Sequence, residues 1–169
     1  MVAKLQPMID DVTQLRAEFL ERVAALPAKA RKERPTPNDW SPIEVTEHLL
    51  GYDALALQYI PEAKGKKLRP KFKSKLFTWF ITRGMAGNVR IPTAPGGEPS
   101  GKLDFAEAKA HWDRIYAALQ DELGELTDES VDYAFGVNPL AGPLSAEQYL
   151  RITASHLRYH LRHFPTKSA

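Results

Sequence analysis

The chain has 169 residues, 43% of them apolar and 26% charged, and a formal net charge of +2, the proportions of an ordinary globular domain rather than of a disordered or fibrous chain. It contains no cysteine, which excludes disulfides, thiolate ligands, iron–sulfur clusters and a cysteine nucleophile, so any metal must be held by His, Asp or Glu. The N-terminus carries acids and lacks an unbroken apolar core, and no run approaches the ~18 apolar residues of a membrane span, so a single cytoplasmic domain over residues 1–169 with no membrane partner is expected.

The first helix is read from Ile9, Val12, Leu15, Phe19, Val23 and Leu26, which recur at helical spacing until Pro27 closes the run. Residues 27–39 are polar and proline-rich, as suits a linker. The second helix has a complete start signal: Ser41 to cap it, Pro42 in the first turn, Glu44 to close a capping box, and Trp40 with Val45 as a hydrophobic staple. Its apolar stripe runs Val45, His48/Leu49, Tyr52, Leu55/Ala56 and Tyr59, which puts a histidine among core-facing positions.

From Pro61 to Gly101 a long crossover is expected. Its first part, residues 64–75, holds seven basic residues and no acid, leaving the rest of the chain at −5. This run reads as a solvated connection, so nucleic-acid binding is not favoured, though the charge would suit an anionic partner. The apolar piece that follows, with Phe77, Trp79 and Phe80, is read as a helical cover for the core, the alternative being contact with a partner or a membrane surface. Residues 96–102 fit the spacing GxxxxGK, but Leu103 stands where a phosphate loop needs Ser or Thr and no strand precedes it, so a flexible loop is expected.

The third helix is placed from Asp104, with Glu107 closing its box and Phe105, Ala108, Trp112, Ile115, Leu119 and Leu123 as its stripe, to an end near Gly124. The fourth has Ser145 as cap, Gln148 in the box and Leu144 with Tyr149 as staple; its stripe is Tyr149, Ile152, His156, Tyr159/His160 and His163. Strand signals are nearly absent, and an all-α four-helix bundle follows.

His156 and His160 stand four apart on one helix and project from one face. His48 lies six residues beyond Pro42, and the pair lies on average six before Phe164. At about 1.5 Å per residue, antiparallel packing of the second and fourth helices brings the three to one height. His111 and His163 are read as exposed or rim histidines and reserve ligands only.

The motifs Trp40-Ser41-Pro42-Ile43-Glu44-Val45 with Glu47-His48-Leu49, Asn138 to Ser145, and His156-Leu157-Arg158-Tyr159-His160-Leu161-Arg162, in this order and spacing, resemble those of the DinB-like superfamily. The resemblance spans the whole chain in element order. It implies an up-up-down-down bundle with a long crossover between the second and third helices, and a divalent metal, zinc or nickel, on His48, His156 and His160. It also implies a homodimer and a small-molecule substrate, with a low-molecular-weight thiol such as bacillithiol or mycothiol as cosubstrate of an S-transferase. A metal-dependent hydrolase and a non-enzymatic metal-binding or interaction module are the alternatives. Asn138 stands where related sequences often carry histidine, and His163 where they often carry glutamine. Arg158 and Arg162, flanking the histidine pair, serve either the helix macrodipole or the carboxylates of a cosubstrate.

Overall fold

Three helices begin where their capping residues place them. The hydroxyls of Ser41 and Ser145 and the carboxylate of Asp104 each accept the backbone N–H three residues on, and Glu44, Gln148 and Glu107 return a bond to the cap's own N–H. The computed structural model describes residues 2–87, 89, 93, 98–138 and 140–164. Among them, a short 3-10 turn (Ala3–Leu5) leads into α1 (Gln6–Ala25), followed by α2 (Ala28–Lys32), α3 (Pro42–Gly65), α4 (Phe72–Ala86), α5 (Phe105–Gly124), the strands β1 (Gly136–Asn138) and β2 (Gly142–Leu144), and α6 (Ala146–Arg162). The chain is mostly helical, and the expected stripes of α1 and α5 are buried at Ile9, Val12, Phe19, Val23, Ala108, Trp112, Ile115, Leu119 and Leu123. α3 packs on α5 and β1, and α6 packs on α1 and α4.

Several elements depart from the sequence expectation. The linker after α1 contains the five-residue α2. α3 runs through Pro61 to Gly65; proline forfeits one backbone hydrogen bond, but the extra turn buries Ala63 and pairs Lys64 with Glu122 and Glu125 of the α5 end. The basic run is therefore not all connection: its last four residues form the first turn of α4, where Ser74 is buried and its hydroxyl donates to the Ala141 carbonyl. A small antiparallel hairpin, Gly136 opposite Leu144 and Asn138 opposite Gly142, adds strand to the expected all-α chain. Its turn demands φ +78° at Gly142, a value that costs a side chain but not glycine.

The core is organised around one carboxylate. Asp53 on α3 is buried, and its two oxygens accept from Trp112 Nε1 of α5 (2.7 Å) and Tyr149 Oη of α6 (2.8 Å). Burial raises its pKa, while these two bonds and the Arg16 charge oppose that rise. Arg16 in turn lies 4.8 Å from the ring centres of Trp112 and Tyr116.

A second buried carboxylate, Glu47, accepts from the Ser100 hydroxyl (2.9 Å) and from the backbone N–H groups of Gly101 (2.7 Å) and Leu103 (2.9 Å). The end of the GxxxxGK segment is thus tied to α3 rather than free, and Gly101 adopts φ +68° to present its N–H. The first part of that segment, Gly96 and Gly97, lies outside the described residues, as do residues 91, 92, 94 and 95 of the expected loop.

Asp53→Ala strands two buried donors, each worth about 1–3 kcal/mol when unpaired, so chemical denaturation should show a loss of about 3 kcal/mol. Glu33→Ala, which breaks an exposed ion pair with Lys29, should change stability by less than about 0.5 kcal/mol.

Candidate metal centre

α3 and α6 bring three imidazoles together. His48 on α3 and His156 on α6 are buried and His160 is half-buried. His156 Nε2 lies 2.9 Å from His48 Nε2 and 3.0 Å from His160 Nε2, and one nitrogen from each ring falls within 4.8 Å of the others, close enough to hold a metal ion. Nitrogens bound to one tetrahedral ion at about 2.0–2.1 Å sit about 3.3 Å apart, close to the 2.9 and 3.0 Å contacts that His156 makes with the other two rings. The expected convergence is present: His156 and His160 are one turn apart on α6, and the α3 histidine meets them at the same height.

The donor chemistry fits a cation. His156 Nε2 faces two other Nε2 atoms, and a neutral imidazole nitrogen either carries a proton or offers a lone pair. One proton cannot satisfy both contacts, whereas a cation accepts all three lone pairs at once. Protonating the cluster instead would place imidazolium charges together in a poorly solvated site. Burial, then the neighbouring His160 and His48, pushes the His156 pKa well down; burial, then His48 and His163, takes His160 to about 3. Both rings are therefore neutral at ordinary pH, the state a metal ligand requires. His156 Nδ1 is buried with no hydrogen-bond partner among the described residues, so its polar contacts all run through the Nε2 that faces the cluster.

The cluster opens into a cavity of about 460 Å³. Val45, His48, Tyr52 and Leu55 of α3 and Ile152, His156, Tyr159 and His160 of α6 form two of its walls. The expected stripes are shared between cavity and core: these residues line the cavity, while Leu49 and Tyr149 of the same stripes are buried in the core with Leu50 and Ile60 of α3 and Leu150 and Leu157 of α6. Phe77, Ile81 and Met85 of α4 line it from a third side. Trp40 packs on the His48 ring at 4.7 Å between centres, and Tyr52 meets His156 edge-on at 5.5 Å. Tyr52 and Trp40 were legible only as stripe and staple residues.

The remaining candidates fall elsewhere. His111 is exposed on α5 and outside the cluster. His163 caps α6, exposed, its Nδ1 2.8 Å from the Tyr159 carbonyl, and stands at the cavity rim rather than among the three imidazoles. Asn138 lines the cavity, but its Oδ1 accepts the backbone N–H of Leu140 and of Ala141, each at 2.9 Å, and so shapes the hairpin turn. The two arginines flanking the pair are engaged structurally: Arg158 with Asp11 of α1, and Arg162 with the Met85 carbonyl of α4.

A family model described as the DinB superfamily matches residues 11–164, which run from the second turn of α1 through the end of α6. No curated protein and no solved structure matches the chain.

The depressed pKa values set a pH dependence for the metal-free protein. The unfolded chain takes up these protons near pH 6.5, whereas folded His160 does so only near 3, so stability is full above about pH 6.5 and falls as pH drops through that window. Thermal melts of chelator-treated protein should show this decline, and the His156→Gln/His160→Gln double variant should show a shallower one. Equal slopes would contradict the environment described for the two rings.

Proposed function

The chain belongs to the DinB superfamily, and on that premise we propose that it is a divalent-metal-dependent enzyme for a small molecule, with His48, His156 and His160 as the metal ligands. The observation that carries this reading is the meeting of three Nε2 atoms, two of them on rings kept neutral by burial, at the wall of a 460 Å³ cavity. Three protein ligands with space beside them is the donor count of catalytic sites, in contrast to the closed four-ligand sets of structural ones. Borderline nitrogen donors suit zinc or nickel. The four long helices α1, α3, α5 and α6 are read as an up-up-down-down bundle, with α4 in the crossover, within one cytoplasmic domain that forms a homodimer.

The reaction we assign is transfer to the sulfur of a low-molecular-weight thiol. A bound divalent ion would supply Lewis acidity, lowering the pKa of a thiol from its solution value near 8.5. A cysteine-free chain provides no sulfur of its own, so the nucleophile comes from a cosubstrate. The thiol proton passes to solvent, the sulfur pair forms the new S–C bond, and the leaving group departs with the pair of the bond that breaks. The chain's own part is to hold the acceptor and exclude water. Phe77, Ile81, Leu55 and Ile152 offer an uncharged, apolar lining for the acceptor's body, while Trp40 and Tyr52 brace the histidine rings. Arg158 and Arg162 are committed to Asp11 and Met85, so they are not assigned to the carboxylates of the thiol.

Metal analysis of purified variants tests the ligand set: His48→Ala, His156→Ala and His160→Ala should each lose most of the bound ion, and His111→Ala should retain it. Metal-loaded protein incubated with bacillithiol, mycothiol or glutathione and an electrophilic acceptor should form the conjugate faster than the His160→Ala variant. Conjugation at the uncatalysed rate with all three thiols at full metal occupancy would reject thiol transfer, and equal metal content in all four variants would reject the site.

A further inference from the structure

Residues 63–97 contain nine basic residues and no acid, and α4 lies within them. Its two faces differ in what they touch. Ser74, Phe77, Thr78, Ile81 and Met85 face inward, to the hairpin, α6 and the cavity: the Ser74 hydroxyl reaches the Ala141 carbonyl, the Gln148 amide donates to the Thr78 hydroxyl, and Phe77, Ile81 and Met85 line the cavity. Phe72, Leu76, Trp79 and Phe80, spaced i, i+4, i+7 and i+8, form the opposite stripe. They are 78%, 44%, 54% and 59% exposed and make up four of the six exposed large apolar residues among those described. Lys71, Lys73 and Lys75 flank this stripe, all exposed, and Arg83 lies 5.8 Å from the Trp79 ring centre.

We propose that this outer face of α4 docks the protein on an anionic lipid surface. The exposed stripe is too apolar to be left in water without a reason, and the charge pattern selects its occupant. A two-fold contact with a second copy would set the lysines of one α4 near those of the other, with no acid anywhere in residues 63–97 to pair them. An anionic bilayer satisfies both features together: aromatic rings settle at the headgroup level, and long basic side chains beside them reach the lipid charges. This is a surface-lying helix, consistent with the finding that no helix among the described residues is long and apolar enough to cross a membrane. The inner face of the same helix lines the cavity, so the docked face and the proposed substrate site lie on opposite sides of one element.

Co-sedimentation of the full-length, metal-loaded protein with vesicles tests the proposal. Vesicles of equal parts phosphatidylcholine and phosphatidylglycerol should carry the protein down, phosphatidylcholine alone should not, and binding should weaken as salt is raised. Lys71→Gln/Lys73→Gln/Lys75→Gln should weaken binding about a hundredfold, the combined effect of three surface-adjacent charges. Trp79→Ala/Phe80→Ala should weaken it at least tenfold, with circular dichroism and sedimentation velocity unchanged in both variants. The proposal is overturned by failure to bind the anionic vesicles at low salt, by equal binding to neutral vesicles, or by a Trp79→Ala/Phe80→Ala variant that loses self-association instead of vesicle binding. Salt-sensitive binding of nucleic acid in place of vesicles would overturn it too.

Discussion

The position of the histidine cluster depends on a carboxylate that never touches it. Asp53 ties α3 to Trp112 of α5 and Tyr149 of α6 through bonds of 2.7 and 2.8 Å, and a buried acceptor with two committed donors has little freedom to slide. His48 lies five residues before Asp53 on α3, and His156 seven after Tyr149 on α6. Fixing Asp53 against Tyr149 therefore fixes the register of the two helices that carry the imidazoles. A shift of α3 by one residue would move His48 along the helix by about 1.5 Å, several times the tolerance of about 0.2 Å on a metal–ligand distance. Glu47 secures the same helix from the other side by holding residues 100–103, so the segment before α5 is tied directly to the residue adjoining His48.

Within that frame the electrostatics of the cluster follow from burial. Imidazoles in water would titrate near 6.5, but His156 and His160 sit where a charged ring is poorly solvated and has other imidazoles as neighbours. Both effects act in one direction and preserve the lone pairs. The aromatic rings of Trp40 and Tyr52 hold the histidines without offering them charge, and the cavity beyond is lined largely by apolar side chains. A site of this kind favours an ion that three neutral nitrogens suit and a substrate that brings an apolar body to it.

The parts of this arrangement that could be read from sequence are those whose signals are local. Each capping box is complete within four residues, so the starts of α3, α5 and α6 were legible, and the cluster's candidates followed from counting along those helices. Asp53 was not singled out, because its partners stand 59 and 96 residues away and an acid in an amphipathic stripe looks like any exposed one. Glu47 has the same difficulty. The hairpin escaped notice because strands of three residues containing Gly136, Gly142 and Pro143 show no alternation. Pro61 suggested a helix end, yet tertiary contacts at Ala63 and Lys64 outweighed the lost backbone bond. α4 carries apolar residues on both faces, so periodicity alone could not say which one meets the core.

The central claim is that one ion sits among the three imidazoles with room left for a substrate. Anomalous diffraction at the absorption edge of the bound metal, from crystals of the metal-loaded protein, tests it most directly. The account predicts a single peak at about 2.0–2.1 Å from the Nε2 atoms of His48, His156 and His160, with at least one remaining coordination position open to the cavity. A peak elsewhere in the molecule, or a fourth protein side chain closing the coordination sphere, would contradict it.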